Sequence, residues 1–333
     1  MKPNLFSLAT KELSQDAFLA WLLQWAAPSS NVYNEKLHLV AAEFVNHLIA
    51  LQGTVPAEIA TVKAGRQWEN IDVWAEINDS HLIIIEDKTA TGEHSGQLAR
   101  YKAVGEKWCK ENGCELICVY IKTHSDSSQN LEQVREQGFA VMSRLDLLRF
   151  LNAHEVVSDI YNDFREQLRT LEARENGYRD KKIGDWSEHD WKGFYQELEG
   201  TRGLVNWGYV ANPSGGFWNA VLNWFQCEGA DPYMQIEQGP LCFKVGEVSE
   251  NRREIRESFH RLLMDGAESD MGLQRPSRFG SGTYMTVAVI PRSSWLGADD
   301  EILNFDAVVG RLNRLELWLE NVVTNHNQTL ATA

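Results

Sequence analysis

The apolar positions of the chain change period several times, and each change marks an expected element. Phe18, Trp21, Leu22 and Trp25 recur three and four apart, so a helix is expected over 14–25 with Ser14 as its cap. A second helix is expected over 34–51, with Leu37, Val40, Ala41, Phe44, Val45 and Leu48 on one side. From 58 the pattern shortens to a strand at 58–65. In 70–77 the period is two: Ile71, Val73, Ala75 and Ile77 face one way, Asp72, Trp74 and Glu76 the other. The turn signal Asn78-Asp79-Ser80 makes 81–88, HLIIIEDK, the hairpin partner of that strand. Helical spacing returns over 95–113, with Leu98, Tyr101, Val104 and Trp108 inward and Gly113 as the stop. The apolar run at 115–123 suits a buried strand of parallel type, and 138–143 is another. Ser143 and Asp146 form a capping-box pattern for the next helix. Ile160, Phe164, Leu168 and Leu171 line a long one over 155–175. Strands interleaved with helices in this order predict an α/β layer architecture.

The pattern then breaks. Residues 176–190 are polar and rich in turn formers, and are expected to be a linker. Beyond it come the segment GFWNAVLNWF at 216–225, a hairpin in 232–248 turning at EQGP, a helix over 252–264, the segment TYMTVAVIP at 283–291 and a last helix near 306–323. This reads as a smaller α+β domain over 191–333. It and the preceding segment hold seven of the twelve tryptophans; Trp218, Trp224 and Trp318 sit among apolar neighbours and are expected in its core.

Composition narrows the class. At 333 residues and 43% hydrophobic the chain is long enough for two cored domains. No apolar run approaches the ~20 residues of a membrane span, and the first residues lack the apolar centre of a signal peptide. Five cysteines (Cys109, Cys114, Cys118, Cys227, Cys242), an odd number without paired spacing, suit thiols in a reducing cytoplasm. The net charge of −15 argues against non-specific coating of nucleic acid. Residues 1–150 carry 14 Lys/Arg against 19 Asp/Glu, and 151–333 carry 18 against 28, so a nucleic-acid contact must be a local patch.

The chemistry gathers at the end of HLIIIEDK, where a strand that enters the core closes on three charges. Such charges are costly to bury unless paired or bound to a metal. Glu86 and Lys88 are two apart and project to one side of the sheet; antiparallel pairing brings Asp72 to the same end of the hairpin. Two carboxylates there can hold a hard divalent cation, and a lysine beside them can orient water or stabilise developing charge.

Asp72 followed by Glu86-Asp87-Lys88 on consecutive strands resembles the PD-(D/E)xK nuclease superfamily, whose core is an αβββαβ unit of restriction-endonuclease-like fold. Gln97 and Tyr101 resemble the Gln-x-x-x-Tyr that follows the site in many members, and KELSQDAFLAWLLQWA is similar to the helix entry of one bacterial branch, where a glutamate, here Glu12, joins the site. Ile71 occupies the place of the motif's proline. The resemblance covers roughly residues 10–125 and implies a nuclease-like domain over 1–175 that hydrolyses phosphodiester bonds with Mg²⁺, or Mn²⁺ in its place. It implies Asp72 and Glu86 as metal ligands helped by the main-chain carbonyl of Asp87, Lys88 as the residue that activates or positions water, Gln97 as an assistant, and Glu12 as holder of a second metal. Nucleic acid, foremost DNA, becomes the expected partner, in defence or DNA processing. A homo-oligomer or a protein partner stays open.

Each piece has a plainer reading beside it. Asp72 can be a solvated residue of an exposed hairpin face, Glu12 a helix-dipole partner, and Gln97 and Tyr101 surface and core residues of an amphipathic helix. Asp87 alternates with its neighbours, so its side chain points away from the site. His38 and His94 lack metal-ligand spacing. In the second domain Arg253, Arg256, Arg275 and Arg278 are candidate phosphate contacts, with a solvated helix paired to Glu250, Glu254 and Glu257 as the alternative. That domain is expected to set substrate choice or assembly. A non-catalytic binding or interaction scaffold on the nuclease fold is the rival class of function.

Overall fold

Five strands of the first half assemble into one mixed sheet, and the register follows from where the turns fall. The computed structural model describes residues 3–89, 96–212 and 215–331. The strands are β1 (Val62–Trp68), β2 (Ile71–Ile77), β3 (His81–Lys88), β4 (Glu115–Lys122) and β5 (Ala140–Ser143), side by side in that order. β1, β2 and β3 are antiparallel, and β3, β4 and β5 parallel. Glu69 and Asn70 turn β1 into β2 in the left-handed region, as Asn78 and Asp79 do between β2 and β3. The parallel pairs need crossovers, and α3 (Gln97–Asn112) and α4 (Ser128–Glu136) supply them.

Helices cover both faces. On one side α1 (Glu12–Trp25), α2 (Glu35–Ala50), α5 (Arg144–Ala153) and α6 (Asp159–Glu175) pack Phe18, Leu22, Phe44, Leu151 and Phe164 against Val73, Ile83, Ile85 and Val119. On the other, α3 and α4 bring Leu98, Tyr101 and Val134 onto Leu82, Ile84 and Tyr120. β3 is thus buried from His81 to Lys88, charged end included. The αβββαβ order in a mixed sheet between helix layers is a restriction-endonuclease-like fold.

Several sequence expectations shift. α1 begins at Glu12 with Lys11 at its N-cap, so Ser14 lies inside the first turn and caps nothing. Ile71 joins the core layer opposite to Val73, Ala75 and Ile77, because it leaves a left-handed turn rather than a straight strand. Ile160 is 40% exposed, and Tyr161 takes its inward place at the start of α6. α4 went unpredicted: its residues are mostly polar and only Val134 is buried. The Ser143–Asp146 capping box is present, with both hydrogen bonds made.

The chain divides into two compact units, residues 1–125 with 130–173, and residues 126–129 with 174–333. In the second, β6 (Asn206–Val210), β7 (Phe217–Val221), β8 (Asp231–Glu237), β9 (Leu241–Gly246) and β10 (Met285–Ile290) form an antiparallel sheet in the order β10-β9-β8-β7-β6. α7 (Glu188–Arg202), α8 (Arg252–Gly266), the short α9 (Arg292–Trp295) and α10 (Phe305–Ala331) complete its core. The polar stretch 176–190 buries Tyr178 and Ile183 in that core, so it is packed rather than solvated. Trp218 and Trp318 pack against the same core, whereas Trp224 is 36% exposed. Among the described residues no helix is long and apolar enough to cross a membrane.

Candidate active site

The β2–β3 register pairs Val73 with Ile85, so the next step sets Asp72 opposite Glu86 where the hairpin ends. The Asp87 amide donates to Asp72 Oδ2 at 3.1 Å, which fixes the aspartate side chain across the strand gap. Asp72 and Glu86 lie close enough for their carboxyl groups to share a hydrogen bond. Lys88 Nζ forms an ion pair with Glu86 Oε1, and both side chains are almost wholly buried. Asp72, Glu86 and Lys88 therefore meet at one spot, as the spacing predicts.

The electrostatics there are unbalanced. Burial, then the charge of Asp72, pushes the Glu86 carboxyl up to about 8, against the pull of Lys88. Burial works to lower the Lys88 ammonium, but its bond to Glu86 and the charges of Glu86, Asp72 and Glu12 together raise it. The ion pair with Glu86 thus favours the Lys88 ammonium form. Glu86 Oε2 is buried without any donor. A buried carboxylate oxygen left over beside a second carboxylate costs several kcal/mol unless a proton or a cation meets it. Oxygen donors of this kind suit a hard divalent ion, so the residues fit the metal that the motif implies.

α3 delivers the next two residues from the same side of the sheet. Gln97 opens the helix after the left-handed Gly96, and its Nε2 donates to the Tyr101 hydroxyl at 2.9 Å. Tyr101 is raised by burial and feels the charges of Glu86, Asp72 and Lys88. Gln97 Oε1 is buried with no donor. Glu12 reaches the strand end from α1: its Oε1 accepts from Thr89 N at 3.1 Å and Thr89 Oγ1 at 3.3 Å. All five residues expected to be catalytic are gathered around the end of β3.

The Asp87 side chain lies on the opposite side, facing α1, as its alternation requires. There Gln15 Nε2 donates to Asp87 Oδ1, Asp16 meets the same carboxyl, and Arg66 Nη2 lies 3.7 Å from Asp16 Oδ2. Burial, then Asp72, pushes Asp16 up to about 6; burial, then Asp16, holds Asp87 well above the usual carboxylate range. Gln15, Asp16 and Arg66 escape a sequence reading because a helix started at Ser14 leaves residues 15 and 16 as ordinary first-turn polar residues. Glu12, Gln15 and Asp16 at i, i+3 and i+4 are the pattern that reveals them, once Glu12 is inside the helix.

The arginines of the second unit separate into two pairs. Arg253 Nε is 2.9 Å from Glu257 Oε1 and Arg256 Nη2 is 3.4 Å from the same oxygen; the solvated-helix alternative fits exposed Arg253, whereas the Arg256 side chain is largely buried. Arg256 also donates to Gly280 O at 2.8 Å and holds the loop that carries the others. Arg275, exposed, stacks its guanidinium 4.8 Å from the Phe279 ring centre, and Arg278 is exposed. His38 Nδ1 lies 3.0 Å from the Trp25 carbonyl in a structural contact, and His94 falls outside the described residues.

With this geometry in hand, comparison with known families gives a match to the model of the PD-(D/E)XK nuclease superfamily over residues 3–182, more than half of the chain and past the whole first sheet. No curated protein and no solved structure matches the chain.

Proposed function

The chain belongs to the PD-(D/E)XK nuclease superfamily, and from that premise we propose that it is a Mg²⁺-dependent nuclease acting on DNA. The observation that carries this reading is the meeting of Asp72, Glu86 and Lys88 with one buried Glu86 oxygen left without a partner. Asp72, Glu86 and the main-chain carbonyl of Asp87 would hold the metal, with Glu12 beside Thr89 as the further carboxylate. When bound, a divalent ion supplies an acidified water and neutralises charge on the phosphoryl oxygens.

The protein's own groups do the rest. Lys88, kept protonated by Glu86, orients the attacking water through its N–H donors and offers positive charge to the phosphorane-like transition state. Deprotonation of Glu86 sets the pH at which the site becomes competent, since its proton occupies the lone pair a cation needs. Gln97 offers a buried carboxamide oxygen with no donor, which would accept from that water, and Tyr101 holds the amide in orientation. In the second unit Arg275 and Arg278 are the candidates for backbone phosphates. Both are exposed and neither has a carboxylate partner among the described residues, and stacking on Phe279 stiffens Arg275.

The test is cleavage of supercoiled plasmid, linear duplex, single-stranded DNA and RNA, each with Mg²⁺, Mn²⁺ or EDTA. Metal-dependent cutting of DNA is expected, lost by a factor of about 10²–10³ in a Lys88→Ala protein assayed well below its own melting temperature, as for removal of a preorganised charge from a transition state. Cutting of RNA alone would reassign the substrate. Absence of any cutting, with no Mg²⁺ binding by the wild-type protein, would replace the enzyme by a scaffold.

A further inference from the structure

Helix α1 turns an unusual face to the sheet. Its inward positions run Gln15, Asp16, Phe18, Leu19, Leu22 and Leu23, all buried, so two polar residues occupy places that leucine would fill if packing were their only task. Gln15 is 7% exposed and Asp16 1%. Burying an amide and a carboxylate is unfavourable unless both are engaged; Gln15 donates to Asp87, and Asp16 lies between the same carboxyl and Arg66, with Asp16 Oδ1 and Asp87 Oδ2 left without a donor. One turn earlier Glu12 takes both the amide and the hydroxyl of Thr89.

We propose that Gln15 and Asp16 are positioning residues which, with Glu12, clamp residues 87–89 from behind the sheet and so set the Asp87 carbonyl, Glu86 and Lys88 in register for the metal and the water. The clamp rests on the nuclease reading of that strand end. Asp87 occupies the strand position between the two site side chains, and alternation sends its side chain rearward exactly where Glu86 and Lys88 go forward. Rotation of the Asp87 peptide would move its carbonyl and tilt both neighbours. Asp72 resists that rotation from the Asp87 amide and Gln15 resists it from the side chain. Arg66, 3.7 Å from Asp16 Oδ2, supplies positive charge to the rear cluster. The assignment accounts for an otherwise unexplained fact: the aspartate of Glu86-Asp87-Lys88 is fully buried and makes no contribution through its side chain to the front of the site.

The test compares the full chain with Gln15→Met, which keeps side-chain length and removes the donor, Asp16→Asn, Asp16→Ala, and Leu13→Ala, an exposed neighbour on the same helix. Hydrogen exchange of the metal-free proteins over residues 83–89 reads the clamp without any cleavage. In Gln15→Met and Asp16→Ala exchange at Asp87 and Thr89 is expected to quicken at least tenfold while β2 and β4 keep wild-type protection. Asp16→Asn should restore most of it, and Leu13→Ala should change nothing. The Mg²⁺ concentration for half-maximal cutting should rise about 10–100-fold in Gln15→Met, with KM for DNA unchanged, as for residues that orient metal ligands. Wild-type exchange at residues 86–89 in both Gln15→Met and Asp16→Ala would overturn the clamp. Loss of protection in a protein whose wild type cuts nothing would keep the clamp and defeat the nuclease instead.

Discussion

Two of the glutamate–lysine pairs on the sheets of this molecule differ sharply, and only one of the two has the makings of a site. In the second unit Lys244 Nζ stands 2.6 Å from Glu237 Oε1 across β8 and β9, and Gln235 Nε2 donates to the same oxygen at 2.9 Å. Glu237 and Lys244 are 22% and 14% exposed, so water reaches what the protein leaves unmet. In the first unit Glu86 and Lys88 are sealed, and Glu86 faces Asp72 with one oxygen unmet. Glu12, Asp16, Asp72, Glu86 and Asp87 crowd a strand end where Lys88, its neighbour Lys122 on β4 and Arg66 are the cations among the described residues. A lysine beside a glutamate therefore carries no functional meaning alone. Surplus buried carboxylate over buried cation does, because only an added cation or protons can balance it.

The largest effect expected from this contrast is on metal binding. Mg²⁺ at one hundred times its Kd stabilises a folded protein by about 2.7 kcal/mol, so Mg²⁺ should raise the melting temperature of the wild-type protein by roughly 5–10 °C. Glu86→Gln and Asp72→Asn should abolish that rise, and Glu237→Gln should leave it intact. Differential scanning fluorimetry with a Mg²⁺ titration reads all three. An equal loss in Glu237→Gln would show that the two pairs do not differ in kind.

A smaller effect concerns pH in EDTA. Glu86 holds its proton up to about 8 in the folded protein, whereas an unfolded glutamate releases it near the ordinary value of 4.5. The folded state binds the extra proton between those values, so stability is fully present below 4.5 and lost as pH rises towards 8. Asp16, pushed up to about 6, adds a loss between its ordinary 3.8 and 6. Unfolding in urea should therefore show the metal-free protein a few kcal/mol less stable at pH 8 than at pH 5. Glu86→Gln should flatten the upper part of that slope. A flat wild-type profile would mean that the Glu86 carboxylate is compensated by groups other than a proton.

The same contrast explains what a reader of the sequence sees and misses. The front of the site is legible because strand alternation is rigid: Glu86 and Lys88 must share a side, and a turn at 78–80 must bring Asp72 to meet them. The sheet is legible from the period of two at 70–77 and from the short apolar runs at 81–88 and 115–123, which are bounded by turns and too short for helices. The rear of the site is not, because Gln15 and Asp16 look like solvent-facing residues until the start of α1 is known, and helix starts are weakly encoded when the cap is a lysine that makes no side-chain bond. Arg66 lies on a strand whose exposure pattern is irregular, next to a left-handed Gln67, so nothing in its neighbourhood announces a buried partner. Packing of Tyr178 and Ile183 was hidden by the polar residues around them, each apolar residue standing alone in a turn-rich segment.

The smallest expected effect belongs to the pair that serves as the comparison. Glu237 and Lys244 are each reachable by water, so their attraction is screened and partly offset by the entropy of holding two long side chains. A double-mutant cycle with Glu237→Ala and Lys244→Ala should give a coupling energy of about 0.5–1 kcal/mol, measured by urea unfolding. Nuclease activity and the Mg²⁺ shift should stay at wild-type values in all three variants. Gln235 makes the cycle sharper: it shares Glu237 Oε1 with Lys244, so in Lys244→Ala the glutamate keeps one donor and is never stranded. Lys88→Ala has no such reserve, since Glu86 also lies against the carboxylate of Asp72, and removing the lysine leaves two acids in contact. Coupling at Glu237 as strong as the destabilisation from Lys88→Ala would mean that burial, not surplus charge, is what separates the two sheets.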